Sequence, residues 1–425
     1  MTLQLLLTAD RILPRPGTPL EDGAVLVEGD RILAAGPRAE VVAQASPDAE
    51  RLDFPGATLL PGLFNAHVHL AFDATREMLP NFLASEDDAL RAGAKDRLGQ
   101  LLRSGVTTVR DLGDRDALGA RVRAELEAEG TAAPRLLTAG APLTVLKGHC
   151  HFFGGEVGDD DSVRAMIDAN AAAGADVIKV MASGGQITEG GADMWESQFD
   201  ARVLRLIVDH AATHGLPVAA HAHGADAIEA SVAAGVATIE HCTWMTGPQQ
   251  QDRREGVAKR MAAEGIAACS TSSRNWRMLA ERMGEELAKT VYGRLSWLEE
   301  LGVPLLAGTD AGLPGSVFDD PVGALELYEW LGFGRRRILE IATEDSAAGL
   351  GLGDVTGRLA PGLSADVLVV DGDPLADLSA LRNLRLVLAR GVRVVSGGGG
   401  WWTARHPSPP PAPAWVFGPS KKECV

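Results

Sequence analysis

Short apolar runs broken by tight turns open the chain. LQLLLTADRIL and AVLVEGDRILAAG have the apolar density of strands, and the Gly-Asp pair in the second separates two apolar runs as a hairpin turn does. Residues 1–56 therefore read as sheet without helix. From 57 to 345, β-branched runs alternate with Ala-, Leu- and Arg-rich stretches of helical character such as SVRAMIDANAAAGA. The runs are ATLLPGLFNAHVH, GVTTVRDLG, PRLLTAG, ADVIKVMASGG, PVAAHAHG, ATIEHC, GIAACSTSS and VPLLAGTDAG, eight in all. Repeated βα units predict a parallel sheet with helices outside, and their number and span fit a (β/α)8 barrel, with an open doubly wound sheet as the rival. Strands resume within 346–395, in GRLAPGLSADVLVVDGDP and LRLVLARGVRVVSGG, so both termini are expected to build one small β-sandwich domain. Residues 396–425 are rich in Gly and Pro without period and read as a flexible tail, unless Trp401, Trp402 and Trp415 dock it on a surface.

The 425 residues are 46% hydrophobic and 23% charged, an ordinary globular balance. A net charge of −17 without a basic run argues against nucleic-acid or anionic-membrane partners. No apolar stretch approaches a membrane span, and MTLQLLLTADRIL has no basic segment before its apolar run, so a cytoplasmic, uncleaved chain is expected. Cys150, Cys242, Cys269 and Cys424 are too scattered for a metal knuckle or a disulfide framework and point to a reducing compartment.

Four features carry chemistry. His67 and His69 in NAHVHL lie two apart at the end of an apolar strand, so alternation points both imidazoles the same way and they can share a metal. A bare HxH is weak by itself; its place at a strand end, where such barrels keep catalytic groups, gives it weight. Lys179 stands among Val, Ile, Val and Met, and its plain reading is a stem leaning on apolar neighbours. Lysine fills only seven of the 40 Lys and Arg positions, so its retention here points to chemistry that guanidinium cannot perform: base, nucleophile, or a carbamate able to bridge two cations. His221 and His223 in PVAAHAHG and His241 in ATIEHC repeat imidazole at successive strand ends, which packing explains poorly. Asp310 directly follows the last buried run, where an Asx turn or helix cap is the plain alternative.

HxH, Lys, His, His and Asp thus fall in order on strands one, four, five, six and eight of the expected barrel. With that ordered set the sequence resembles the amidohydrolase superfamily, in particular members with two metals bridged by a carboxylated lysine, and is similar to prolidase-like and imidazolonepropionase-like amidohydrolases. The likeness covers nearly the whole chain, including SADVLVVDGDPLADL. The resemblance implies two divalent metal ions, zinc by default, with Lys179 as N6-carboxylysine bridging them. It implies His67, His69 and Asp310 as ligands of the more buried ion and His221 and His241 as ligands of the more exposed one. His223 lies equally near its strand end; His221 matches the motif, which leaves His223 to substrate contact. Asp310 would take a proton from the water that becomes the bridging hydroxide and return it to the leaving nitrogen. LKGHCHFFGGE falls where those relatives carry Gly-Gly-His, but Lys147 replaces the first Gly, so only Gly148-His149 matches. His149 is then the candidate donor to the carbonyl oxygen or oxyanion, with His151 as the alternative and a structural histidine as the plain reading.

Aromatic residues are only 5% of the chain, yet Phe152, Phe153, Trp195, Trp244 and Trp276 follow expected strands on the side of the site. Some anchor loops; the rest could wall a pocket for a flat or bulky apolar group. Arg274, with Arg277 behind it, could meet a carboxylate. The expected activity is peptidase-like amide hydrolysis of a small molecule, an N-acyl amino acid or dipeptide with an aromatic or bulky apolar acyl group. One rival is a deaminase or cyclic amidine/imide hydrolase of the imidazolonepropionase type, which generally uses one metal and lacks the bridging lysine. A non-catalytic barrel sits badly with a complete ligand set, and a Schiff-base aldolase leaves the histidines and Asp310 idle. The resemblance also favours a homo-oligomer.

Overall fold

The computed structural model describes residues 4–395; the Gly/Pro-rich tail with its three tryptophans and Cys424 lies outside the described residues. Strands from both ends of the chain share one sheet. Gln4–Ile12, Leu20–Glu28, Arg31–Pro37 and Glu50–Pro61 come from the N-terminal side, and Val367–Asp371, Leu384–Ala389 and Val392–Val395 from the C-terminal side. The seam is the antiparallel pairing of Val367–Asp371 with Ala57–Pro61. The hairpin at Gly29-Asp30 forms as its sequence predicts, with Glu28 paired to Arg31 and Gly29 at φ +60°.

Three expectations change. The strands form a single seven-stranded sheet, not a two-sheet sandwich. A short helix, Arg38–Val42, interrupts the N-terminal strands and lays Val41 against Leu6, Ala24 and Leu26. ATLLPGLFNAHVH is two strands, because Ala57–Pro61 belongs to the small sheet and the chain crosses to the next layer at Gly62. A Cβ at Gly62 would overlap Thr107, so only glycine permits that crossing. Alternation explains why SADVLVVD reads as continuously apolar: Val367 and Val369 enter one core while Leu368 and Val370 enter the main one.

All eight β-branched runs of the central region contain strands: β1 (Leu63–Val68), β2 (Val106–Asp111), β3 (Arg135–Thr138), β4 (Ile178–Met181), β5 (Val218–Gly224), β6 (Thr238–Gly247), β7 (Ala267–Cys269) and β8 (Leu305–Leu306). Neighbours are parallel and helices alternate with them, each burying an apolar stripe in the main core. The helical stretch SVRAMIDANAAAGA forms helix Asp160–Ala172, which starts two residues earlier because Asp159 accepts the Ser162 N–H at 2.8 Å in a capping box. The strands form two arcs, β1–β3 and β4–β8, rather than a closed barrel. Between the arcs run the isolated parallel bridges Leu143–Val180 and Val68–Ala311, and the Ala66 N–H donates to Ala307 O at 2.7 Å. Short β3 and β8, of four and two residues, leave the ladder interrupted there. Among the described residues no helix is long and apolar enough to cross a membrane.

Asp366, in the SADVLVVD segment, ties the two layers together. Its buried carboxylate accepts the Arg390 N–H and the Thr356 hydroxyl, both at 2.8 Å, and lies 3.6 Å from Arg135 Nη2 beside the barrel strands. Asp366→Ala should therefore lower unfolding free energy by roughly 2–3 kcal/mol by stranding these donors. Urea titration tests this; a loss below about 0.5 kcal/mol would show that the tie contributes little.

Candidate active site

Parallel strands end together, so residues at their C-terminal ends meet. His67 is the penultimate residue of β1 with His69 just beyond the strand, Lys179 lies in β4, His221 and His223 in β5, His241 in β6, and Asp310 four residues after β8. All seven, with His149, line one cavity of about 150 Å³. Backbone strain concentrates there: His241 has φ +68° and Asp310 φ +57°, left-handed values that non-glycine residues adopt at a cost.

His67 Nε2, His69 Nε2 and Asp310 Oδ1 form a triangle 3.3 Å on each side. A tetrahedral ion with bonds of about 2.0–2.1 Å needs ligand atoms about 3.3–3.4 Å apart, so these atoms fit one. A second cluster unites His221, His223 and His241, with ring centroids 4.3–4.8 Å apart. His67 and His241, at 5.3 Å, connect the two.

Four of these imidazoles have one nitrogen engaged, which leaves the other for a ligand. His67 Nδ1 donates to Glu240 Oε2 at 2.8 Å. His221 Nε2 donates to Gly184 O at 3.1 Å, His223 Nδ1 meets Thr243 Oγ1 at 3.0 Å, and His241 Nδ1 meets Thr271 Oγ1 at 2.7 Å. Burial pushes the pKa of His69, His221 and His241 down and that of His223 to about 3, so the imidazoles are neutral, as metal ligands must be. Asp310 is pushed up by burial, but His67 and its other histidine neighbours outweigh this and hold it well below the usual carboxylate range.

Lys179 is 1% exposed and its Nζ has no hydrogen-bond partner. Burial, above all, lowers its pKa from the usual lysine value.

Not every expected residue joins the site. His149 does; its Nδ1 lies 3.1 Å from Thr188 Oγ1, and its ring rests where a Cβ on Gly185 would collide with it. His151 is away from the cavity, with Nδ1 on Gly148 O at 3.2 Å. Trp195 lines a neighbouring cavity of about 750 Å³. Trp276 lines another of about 280 Å³ while its indole N–H donates to Gly323 O at 2.9 Å. Trp244 is fully buried, edge-on to Trp297 at 5.4 Å, because left-handed backbone at Cys242 and Trp244 breaks the alternation that would aim it at the site. Arg274 packs towards Asp320 and Arg277 pairs with Glu326 at 2.8 Å, so neither guanidinium lines the three cavities. Phe152 and Phe153 pack with Phe72 and Phe82 as an apolar anchor beside His69. Cys150, Cys242 and Cys269 are free and buried.

The sequence profile of the amidohydrolase family matches residues 58–394. The chain belongs to the amidohydrolase family. This amidohydrolase is similar to ochratoxinase of Aspergillus niger, 26% identical over 94% of this chain and 88% of that one. The solved ochratoxinase structure superposes with a TM-score of 0.81 at 23% identity, covering 96% and 99% of the two chains. It is also similar to imidazolonepropionase of Paracoccus denitrificans, 29% identical over 83% and 88% of the chains. A prolidase solved in complex with N-methylphosphonate-L-proline is 25% identical, with a TM-score of 0.78 over 93% and 100% of the chains. The chain is accordingly a hydrolase acting on C–N bonds, in a family that acts on small molecules and is generally metal-dependent.

Three residues of the amidohydrolase site escape a reading by motif. Glu240 is fully buried and receives His67 Nδ1, Arg110 Nη2 at 2.8 Å and Thr238 Oγ1 at 2.6 Å. Burial pushes its carboxyl up, but Arg110 and His67 more than reverse this and hold it ionised. A signal was present, since Arg110 and Glu240 are opposite charges inside apolar strands and each needs a partner. Arg294 also lines the 280 Å³ cavity, and Thr188 meets His149; neither stands in a motif. Glu240→Gln should weaken metal retention and turnover about 10–100-fold by loosening His67. Elemental analysis after dialysis against a weak chelator, with circular dichroism to check folding, measures this; a folded variant with unchanged retention would remove the orienting role.

Proposed function

We propose that this amidohydrolase cleaves the amide of an N-acyl amino acid or dipeptide, using two divalent ions, zinc by default, bridged by the carbamate of Lys179. The carrying observation is the Lys179 amine, wholly buried and unpartnered in a cavity lined by two clusters of ligand atoms. Its lowered pKa favours the neutral amine, which attacks carbon dioxide; the N–C bond forms as one C=O π pair moves onto oxygen, the nitrogen loses a proton to solvent, and the resulting carbamate keeps the nitrogen and presents two oxygens beyond it. In this reading His67, His69 and Asp310 would hold one ion and His221 and His241 the other, which leaves His223 to the substrate. Ions bound there supply Lewis-acid polarisation of the scissile carbonyl and activation of water at neutral pH. Asp310 takes the proton from the attacking water and delivers it to the nitrogen as the C–N bond breaks.

His149 acts as the hydrogen-bond donor to the carbonyl oxygen. Burial, with Lys179 nearby, holds its pKa at about 3, so the ring is neutral. Thr188 Oγ1 accepts the Cys150 N–H at 2.9 Å and lies 3.1 Å from His149 Nδ1; with the hydroxyl hydrogen directed at Nδ1, the ring proton stands on Nε2, as this role requires. The two flanking cavities divide the substrate. The hydroxyl-rich one, with Ser272, Ser273 and Asn275, suits an amino acid carboxylate; Arg294 adds positive charge to its wall while donating to the His241 and Val291 carbonyls. The larger one, with Met194, Trp195, Met245 and Leu287, suits a bulky apolar acyl group. Similarity to ochratoxinase and to a prolidase supports an amide substrate, and the fold neighbours support a (β/α)8 barrel beginning at β1 beside a β domain built from both ends of the described chain.

The test is product identity: incubation with N-acyl aromatic amino acids and dipeptides should release a free amino acid and no ammonia. Ammonia from a cyclic amidine, with no amide cleavage, would instead favour the reading raised by the imidazolonepropionase relative. His149→Ala should lower kcat about 100-fold with little change in KM, as expected for an interaction made in the transition state. Steady-state kinetics within about threefold of wild type would exclude that role.

A further inference from the structure

On the outer helical layer, three side chains that do not line the cavity converge. Asp168 lies on helix Asp160–Ala172, and His210 and His214 lie on and directly after helix Ala201–Thr213. Four residues apart, the two imidazoles share one helix face. His210 Nε2 and His214 Nε2 both lie 2.7 Å from a single oxygen, Asp168 Oδ1, with the rings edge to face at 5.6 Å.

We propose that Asp168, His210 and His214 form a metal site separate from the active centre, taking one divalent transition-metal ion of the zinc class through two imidazoles and a carboxylate. One imidazole would satisfy that carboxylate oxygen; two nitrogens aimed at it make a ligand triad whose atoms all lie within 4.8 Å of one another. A tetrahedral ion needs them about 3.3–3.4 Å apart, so each nitrogen must draw back by about half an ångström. The side chains of His210 and His214, 19% and 33% exposed, have room to do so. Two nitrogen donors select zinc, nickel or copper over magnesium and calcium, which require oxygen. The remaining coordination positions face solvent. Helix Asp160–Ala172 leads into β4 with Lys179, and helix Ala201–Thr213 leads into β5 with His221. An ion here clips together the two helices that precede those strands, and its binding to the folded chain raises stability by mass action.

The experiment uses untagged, full-length protein equilibrated with micromolar zinc, comparing wild type with His210→Ala/His214→Ala and with the near-isosteric Asp168→Asn. Elemental analysis should find one more zinc per chain in wild type than in the double variant. Zinc should raise the melting temperature of wild type more than that of either variant. Turnover should be the same in all three, since none of these residues touches the cavity. Equal zinc content and equal zinc-dependent melting shifts in all three proteins would overturn the proposal.

Discussion

An amine shut away from water without a hydrogen-bond partner is a severe constraint, and Lys179 imposes it on this fold. Burial disfavours a protonated lysine there more than the Glu240 and Asp310 carboxylates favour it, so the cavity shifts Lys179 towards the neutral amine. Around it gather imidazoles that burial keeps neutral and the Asp310 carboxylate that stays ionised. The combination makes little sense as packing. It is coherent if the free nitrogens, the carboxylate and a modified lysine all face cations.

A rigid outer layer holds that arrangement. Glu240 receives His67 on one oxygen and Arg110 on the other, so a buried ion pair fixes the tautomer and orientation of a candidate ligand. The hydroxyls of Thr243, Thr271 and Thr188 hold the orientation of the His223, His241 and His149 rings through Nδ1. Left-handed backbone at His241 and Asp310 turns both side chains into the cavity at a conformational cost that the surrounding strands offset. Gly62 and Asp366 anchor the small sheet beside the start of β1, so the base of the strand carrying His67 is fixed from a second layer.

Much of this was legible because parallel strands buried on both faces are written as β-branched runs, and their ends are marked by polar residues out of character. His67, His69, Lys179, His221, His241 and Asp310 all stand at such ends, and the structure brings them into one cavity. Alternation fails where the backbone leaves the β region. Trp244 was therefore aimed wrongly, since positive φ at Cys242 and at Trp244 itself turns the indole into the core. Arg274 stands in a polar stretch, STSSRNW, that suggests a binding loop, yet it packs towards Asp320, while Arg294 stands in the more apolar TVYGRLSW and is buried in the cavity wall. The join at Gly62 was hidden because strands on either side of it are apolar on both faces.

The account rests on Lys179 as a bridge between two metal ions, and metal content tests it most directly. Wild type and Lys179→Ala, prepared alike with bicarbonate and zinc, would be compared by elemental analysis. With His210→Ala/His214→Ala introduced into both proteins to remove the outer site, about two ions per chain are predicted with Lys179 in place and one or none in its alanine variant. An equal number in both proteins would contradict it, leaving Lys179 a buried amine with no part in metal binding.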